Sequence, residues 1–174
     1  MYAMLGEAAK QIRWHMIGSL QTNKINKALP IFDVIQTVDS IKKARAIDKR
    51  VEAAGKQTVS VYIEINIGSE ITKAGVAPEY TLVEDLAREI SALDHLCLEG
   101  LMTMGPLSGD PEKTRPYFKK TKDIFDKING LHLPRVTMNT LSMGMSNSYK
   151  VALEEGSTMV RLGTIIFGRR KCDV

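Results

Sequence analysis

Strand-like and helix-like segments alternate along this chain with little between them, and that alternation limits the fold more than any other feature. A short helix over Leu5–Ile12 precedes the apolar run Trp14–Gly18, which reads as a buried strand. A polar helix over Leu20–Leu29 closes at Pro30, and the β-branched run Val34–Val38 reads as the next strand. Asp39-Ser40 offers an N-cap to a helix over Ile41–Ala54, and Gly55 stands where a C-cap would. Thr58–Ile67 is the strongest strand pattern. Pro78 opens a helix to about Leu93, whose Glu79, Glu84 and Asp85 suit its positive end. A strand over Leu98–Met104, a helix over Asp110–Asn129, a strand over Met138–Met143, a helix over Asn147–Glu155 and a last strand over Thr158–Phe167 complete the chain.

Strict βα alternation implies a parallel sheet covered by helices. The Ile-rich runs Ile63–Ile67 and Thr164–Phe167 are read in the same sense, because parallel strands are buried on both faces. Two architectures satisfy this: a doubly wound open sheet, or a (β/α) barrel. No GxGxxG follows a first strand, so the dinucleotide-binding version of the open sheet loses its main signal. An eight-fold barrel takes at least about 200 residues. With 174 residues and six βα units, this chain is two units short of one. Its length suits a single domain spanning 1–174.

Composition removes several other classes. The hydrophobic fraction of 44% and charged fraction of 25% are those of a globular protein, not a disordered or fibrous one. The apolar run Val59–Ile67 carries Glu64 and is far shorter than the ~20 residues of a bilayer crossing. Met1–Lys10 lacks the pattern of a secretory leader, and Cys97 and Cys172 have neither CxxC spacing nor a zinc-ligand set around them. Free thiols and a cytoplasmic location are the expectation. The net charge of +4 is spread over Lys42-Lys43, Lys119-Lys120 and Arg169-Arg170-Lys171, not gathered into the stripe that nucleic acid requires. No metal constellation and no GxSxG or Ser-His-Asp pattern stands out.

The chemistry concentrates in the carboxy-terminal third. Leu141–Ser146 and Gly156–Thr164 put Ser, Thr and Gly where backbone N–H groups can approach an anion. In barrels, the loops after the last two strands recurrently hold phosphate, although the same residues also make ordinary turns. Arg161 lies inside the apolar run Met159–Leu162, and a buried guanidinium must be paired or liganded. It is either half of a structural ion pair or a donor to a ligand's phosphate or ring nitrogen. By position, Glu64 and Glu99 are the carboxylates a barrel isomerase could use as a base.

The ordered set WHMIGSLQTNK (14–24), VDS (38–40), INIGSEITKAG (65–75), GLMTMGP (100–106), LSMGMS (141–146) and GSTMVRLGTIIFGRR (156–170) resembles the pyridoxal phosphate homeostasis proteins of the YggS/PROSC type. The likeness covers essentially the whole chain. It implies an α/β fold, a (β/α) TIM barrel of the alanine racemase N-terminal type, incomplete at about six of eight units. It implies pyridoxal 5′-phosphate as ligand, held without catalysis. By motif, Arg161 would face the pyridine nitrogen, and Ser146, Gly163 and Thr164 would bind the phosphate. Ser142 would stand beside them, with Asn66 and His15 near the mouth. A racemase-like enzyme using the same cofactor and a phosphate-binding barrel enzyme unrelated to it are the alternatives.

One departure is large. Family members begin with two further βα units, the first bearing the lysine that anchors the cofactor covalently. This sequence starts just before WHMIG, and Lys10, Lys24 and Lys73 do not stand in that motif. Binding without a covalent anchor is therefore expected. A barrel lacking two neighbouring strands leaves two open edges, and open edges invite pairing. The expectation is a homo-oligomer, a separately encoded amino-terminal piece over the gap, or marginal stability.

Overall fold

In the computed structural model, residues 2–68, 74–106 and 110–168 are described. Lys73, Arg169-Arg170-Lys171 and Cys172 lie outside them. Six parallel strands follow one another in chain order: β1 (His15–Met16), β2 (Val34–Val38), β3 (Val59–Ile65), β4 (Leu96–Thr103), β5 (Val136–Met145) and β6 (Met159–Arg161). The helices are α1 (Tyr2–Leu5), α2 (Ile25–Ala28), α3 (Ile41–Val51), α4 (Tyr80–Ser91), α5 (Arg115–Asn129), α6 (Tyr149–Glu154) and α7 (Thr164–Phe167).

The sheet is curled, and one side-chain contact proves it. Gln36 on β2 bonds Ser142 on β5 at 2.7 Å, although β3 and β4 stand between them. In a flat sheet those strands would be about 14 Å apart. Of the two architectures the alternation allowed, this is the barrel, as a six-stranded segment. Among the described residues no pairing joins β6 to β1.

Alternation along each strand sorts residues between two faces. Ile35, Val61, Ile63, Leu101 and Leu141 point outward into the main core, where they meet Ile47 of α3, Ile90 of α4 and Phe118 and Ile128 of α5. Val34, Tyr62 and Met102 point inward and form a separate small cluster with Met159. The expected caps form. Ser40 Oγ accepts from the Lys43 N–H at 3.4 Å, and Gly55 takes φ 72° behind the short 3-10 turn that ends the α3 region. Arg115, at the start of α5, pairs with Glu154 at 2.6 Å and Glu155 at 2.7 Å, tying α6 to the helical layer.

Several expected boundaries shorten. Trp14–Gly18 pairs only at His15–Met16. Leu5–Ile12 is the end of α1 followed by a 3-10 helix over Gly6–Gln11, and Leu20–Leu29 is a 3-10 turn followed by the single turn α2. The largest correction falls on Thr158–Phe167. The strand stops at Arg161, and Thr164–Phe167 is the helical turn α7, with Ile166 62% and Phe167 84% exposed. Those residues are not a buried strand. A short apolar run does not by itself distinguish strand from helix. Here Ser146 Oγ takes the N–H groups of Gly163 and Ile165, which a ladder would otherwise need.

Candidate functional site

A cavity of about 730 Å³ opens at the carboxy-terminal ends of the strands. Its lining includes His15, Gln36, Met159, Arg161, Ser146 and the Gly163-Thr164 pair. This is the end of a βα barrel at which ligands bind.

Arg161 ends β6 and turns inward. One guanidinium nitrogen donates to Ser142 Oγ at 2.6 Å and the other to the Thr103 carbonyl at 2.8 Å. Both acceptors are fully buried. Neither is a carboxylate, so the charge is held by neutral oxygens. Burial lowers the Arg161 pKa to about 10, and the field of Glu64 opposes that shift. The group stays cationic at neutral pH. Glu64, inward-facing on β3 and 4% exposed, has an Oε2 without a hydrogen-bond partner. Burial pushes its carboxyl pKa up, while Lys43 pulls it down.

The wall above Arg161 comes from two loops. Ser146 Oγ, just past β5, accepts from the Gly163 N–H at 3.1 Å and the Ile165 N–H at 3.3 Å. Two backbone donors converge on one oxygen, which is how a loop receives an anion's oxygen. Buried Ser157 stands between the strands beneath, its one hydroxyl hydrogen within reach of the Leu141, Met143 and Met159 carbonyls. At Gly144 the backbone takes φ 93°, and a Cβ there would lie 2.5 Å from Ala152 Cβ. Only glycine lets β5 pass so close to α6.

Arg161, Ser146, Gly163, Thr164 and His15 thus meet around one cavity. Ser142 stands behind the wall, bonded to Arg161. Asn66 follows β3 and its backbone N–H bonds the Val76 carbonyl at 2.9 Å; it is not among the cavity's described lining. Glu99 lies toward the other end of the strands, in an ion pair with Arg13 at 2.7 Å and a bond from Ser60 at 2.6 Å. It has no place at the cavity. Gln36, 1% exposed, is a site residue that the sequence reading missed. Its signal was available: it is a polar side chain inside the β-branched run VIQTV, the same anomaly that singled out Arg161.

The family model described as alanine racemase, N-terminal domain, matches residues 3–171. A pyridoxal phosphate homeostasis protein of Aquifex aeolicus is 40% identical over 95% of this chain and 71% of its own length. This chain belongs to that family. A second member, from Haemophilus influenzae, is 39% identical over 91% of this chain and 65% of its own length. The chain thus spans about two thirds of these curated relatives. Among solved structures, PipY of Synechococcus elongatus superposes with a TM-score of 0.84 without PLP, at 29% identity. With PLP bound, it superposes at 0.80, at 28% identity. Each comparison covers 95% of this chain and 76% of PipY. A six-stranded segment of the family's barrel is the fold seen here. No helix among the described residues is long and apolar enough to cross a membrane.

Proposed function

We propose that this chain binds pyridoxal 5′-phosphate and serves as a non-catalytic holder of that cofactor, with residues 1–174 acting as one domain. The observation that carries the proposal is Arg161, fixed by Ser142 and the Thr103 carbonyl beside a loop whose N–H groups converge on Ser146 Oγ. These residues fit the group. The guanidinium suits its pyridine nitrogen, and the Ser146 hydroxyl, with the Gly163 and Ile165 N–H groups that now donate to it, suits its phosphate.

Ser146, Gly163 and Thr164 would hold the phosphate, and Arg161 would donate to the ring nitrogen. His15, Ser142 and Asn66 would complete the surroundings. When bound in most enzymes, the cofactor acts as an electron sink through a protonated ring nitrogen. Arg161 would present a cationic donor to that nitrogen, which would disfavour its protonation and weaken the sink. A weaker sink supports the holding role. The Haemophilus and Aquifex relatives' names support the same reading.

The test is an absorbance titration of the purified chain with pyridoxal 5′-phosphate, competed by inorganic phosphate. A new band, weakened roughly tenfold or more in Arg161→Met and in Ser146→Ala, is expected; a charge-assisted hydrogen bond is worth about 1.5–3 kcal/mol. No band at any concentration would sink the proposal. Racemisation of alanine by the loaded chain would restore the enzymatic alternative.

A further inference from the structure

Four side chains link the two edge strands through the interior of the curl. Arg161 on β6 donates to Ser142 Oγ at 2.6 Å, and Ser142 lies 2.7 Å from Gln36 Oε1. Gln36 Nε2 lies 2.9 Å from His15 Nδ1 on β1 and 3.3 Å from the Met159 sulfur.

The proton positions along this chain follow from what each group can do. A guanidinium only donates, so Ser142 Oγ receives from Arg161 and spends its own hydrogen on Gln36. A thioether sulfur only accepts, so the Gln36 atom facing Met159 must carry hydrogen. The reversed amide would leave the Ser142 hydrogen without an acceptor and set an oxygen against the sulfur. The Gln36 NH2 therefore points at both Met159 and His15. His15 Nδ1 must then accept, and its hydrogen sits on Nε2.

We infer that Gln36 is a positioning residue that locks His15 as the neutral Nε2–H tautomer, making His15 a hydrogen-bond donor on the wall of the cavity. Nδ1 is already used by Gln36, so Nε2–H is the polar group His15 has left for an occupant. Its partner would be an acceptor oxygen: a phenolate, a carbonyl or a phosphate. The groups around the ring agree. Burial and the Arg13 guanidinium oppose a charged imidazole, outweighing Asp33 and Glu99. The Tyr62 ring packs on it edge-on at 6.2 Å. The oxygen-accepting occupant rests on the proposal above, but the tautomer does not.

Long-range ¹H–¹⁵N NMR of the imidazoles, on the ligand-free chain, reads the tautomer directly. The chain has three histidines, and His15→Phe assigns the signal. The expected result is a single Nε2–H form in the wild type. Gln36→Met should lose that preference. Gln36→Glu, with an acceptor in place of the donor, should move a proton onto Nδ1 and raise the His15 titration midpoint. A wild-type ring that is protonated on Nδ1, averages between forms, or ignores both substitutions overturns the inference. Adding pyridoxal 5′-phosphate should shift the His15 Nε2 resonance. An unmoved resonance in a sample whose absorbance shows bound cofactor overturns the donor role. Absent absorbance counts against the cofactor reading alone, and the tautomer in the free chain still decides this one.

Discussion

Arg161 pairs along the ladder with Met145, yet its guanidinium hydrogen-bonds to Ser142, whose own ladder partner is Met159. The side chain therefore folds back down the inside of the sheet instead of continuing up out of its strand. A buried hydroxyl holds it there, between a cationic donor on one side and an amide acceptor on the other.

Replacing that hydroxyl tests how much the arrangement contributes. Ser142→Ala strands the Arg161 nitrogen and Gln36 Oε1 together, and an unsatisfied buried group costs about 1–3 kcal/mol. Urea unfolding should show a loss of that size. A change under about 0.5 kcal/mol would mean that water takes over both bonds.

Gly144 makes a sharper prediction for the scaffold under the Ser146 loop. A Cβ there meets Ala152 Cβ at 2.5 Å and Tyr149 Cα at 3.1 Å, on a backbone with φ 93°. Gly144→Ala should cost more than about 2 kcal/mol, from left-handed strain and overpacking together. The same substitution at Gly55, which takes φ 72° with open space around it, should cost only the strain. Paired denaturation curves compare the two.

Glu64 gives a pH dependence whose sign can be worked out. Its folded pKa lies above the ordinary 4.5, chiefly through burial. Between the two values the folded chain binds more protons than the unfolded chain, so stability falls as pH rises. The contribution is complete below about 4.5 and is lost as pH rises through the folded pKa. Wild type minus Glu64→Gln isolates it, and that difference should decline from about pH 4.5 upward. A flat or rising difference would show a carboxyl that ionises as it does in water.

The parallel sense and succession of the six strands were legible from the strict alternation of strand-like and helix-like segments, and the caps at Ser40 and Gly55 marked the α3 region well. The last segment was misread because Ile165, Ile166 and Phe167 look like core but are exposed. Apolarity says that a residue is costly to leave in water; it does not say which residues the fold leaves there. At the site, Arg161 was legible as a charge inside an apolar run. Gln36 was passed over for want of charge, though an amide buried in a strand poses the same demand for partners. The resemblance grouped Ser146 with Gly163 and Thr164, whereas their residue types and spacing alone do not, because the approach depends on two loops brought together by pairing of β5 with β6.

That exposed turn carries a prediction about association. Phe167 is 84% exposed in the helical turn that follows β6, so Phe167→Ser should change stability by less than about 0.5 kcal/mol. If a second copy covers this turn, sedimentation of the wild type should show a concentration-dependent dimer that Phe167→Ser weakens. A wild type that sediments as a monomer at all concentrations excludes the second copy.

The main apolar core lies between the outside of the sheet and the helices, while the inside carries Gln36, Glu64, Ser142 and Arg161. The main apolar core and the polar groups of the candidate site therefore occupy opposite faces of the same strands. A substitution at an odd position along a strand and one at the next even position address different problems. The outward residues hold the helical jacket and the inward polar ones hold one another across the curl, so this barrel segment is braced on two faces by two kinds of contact.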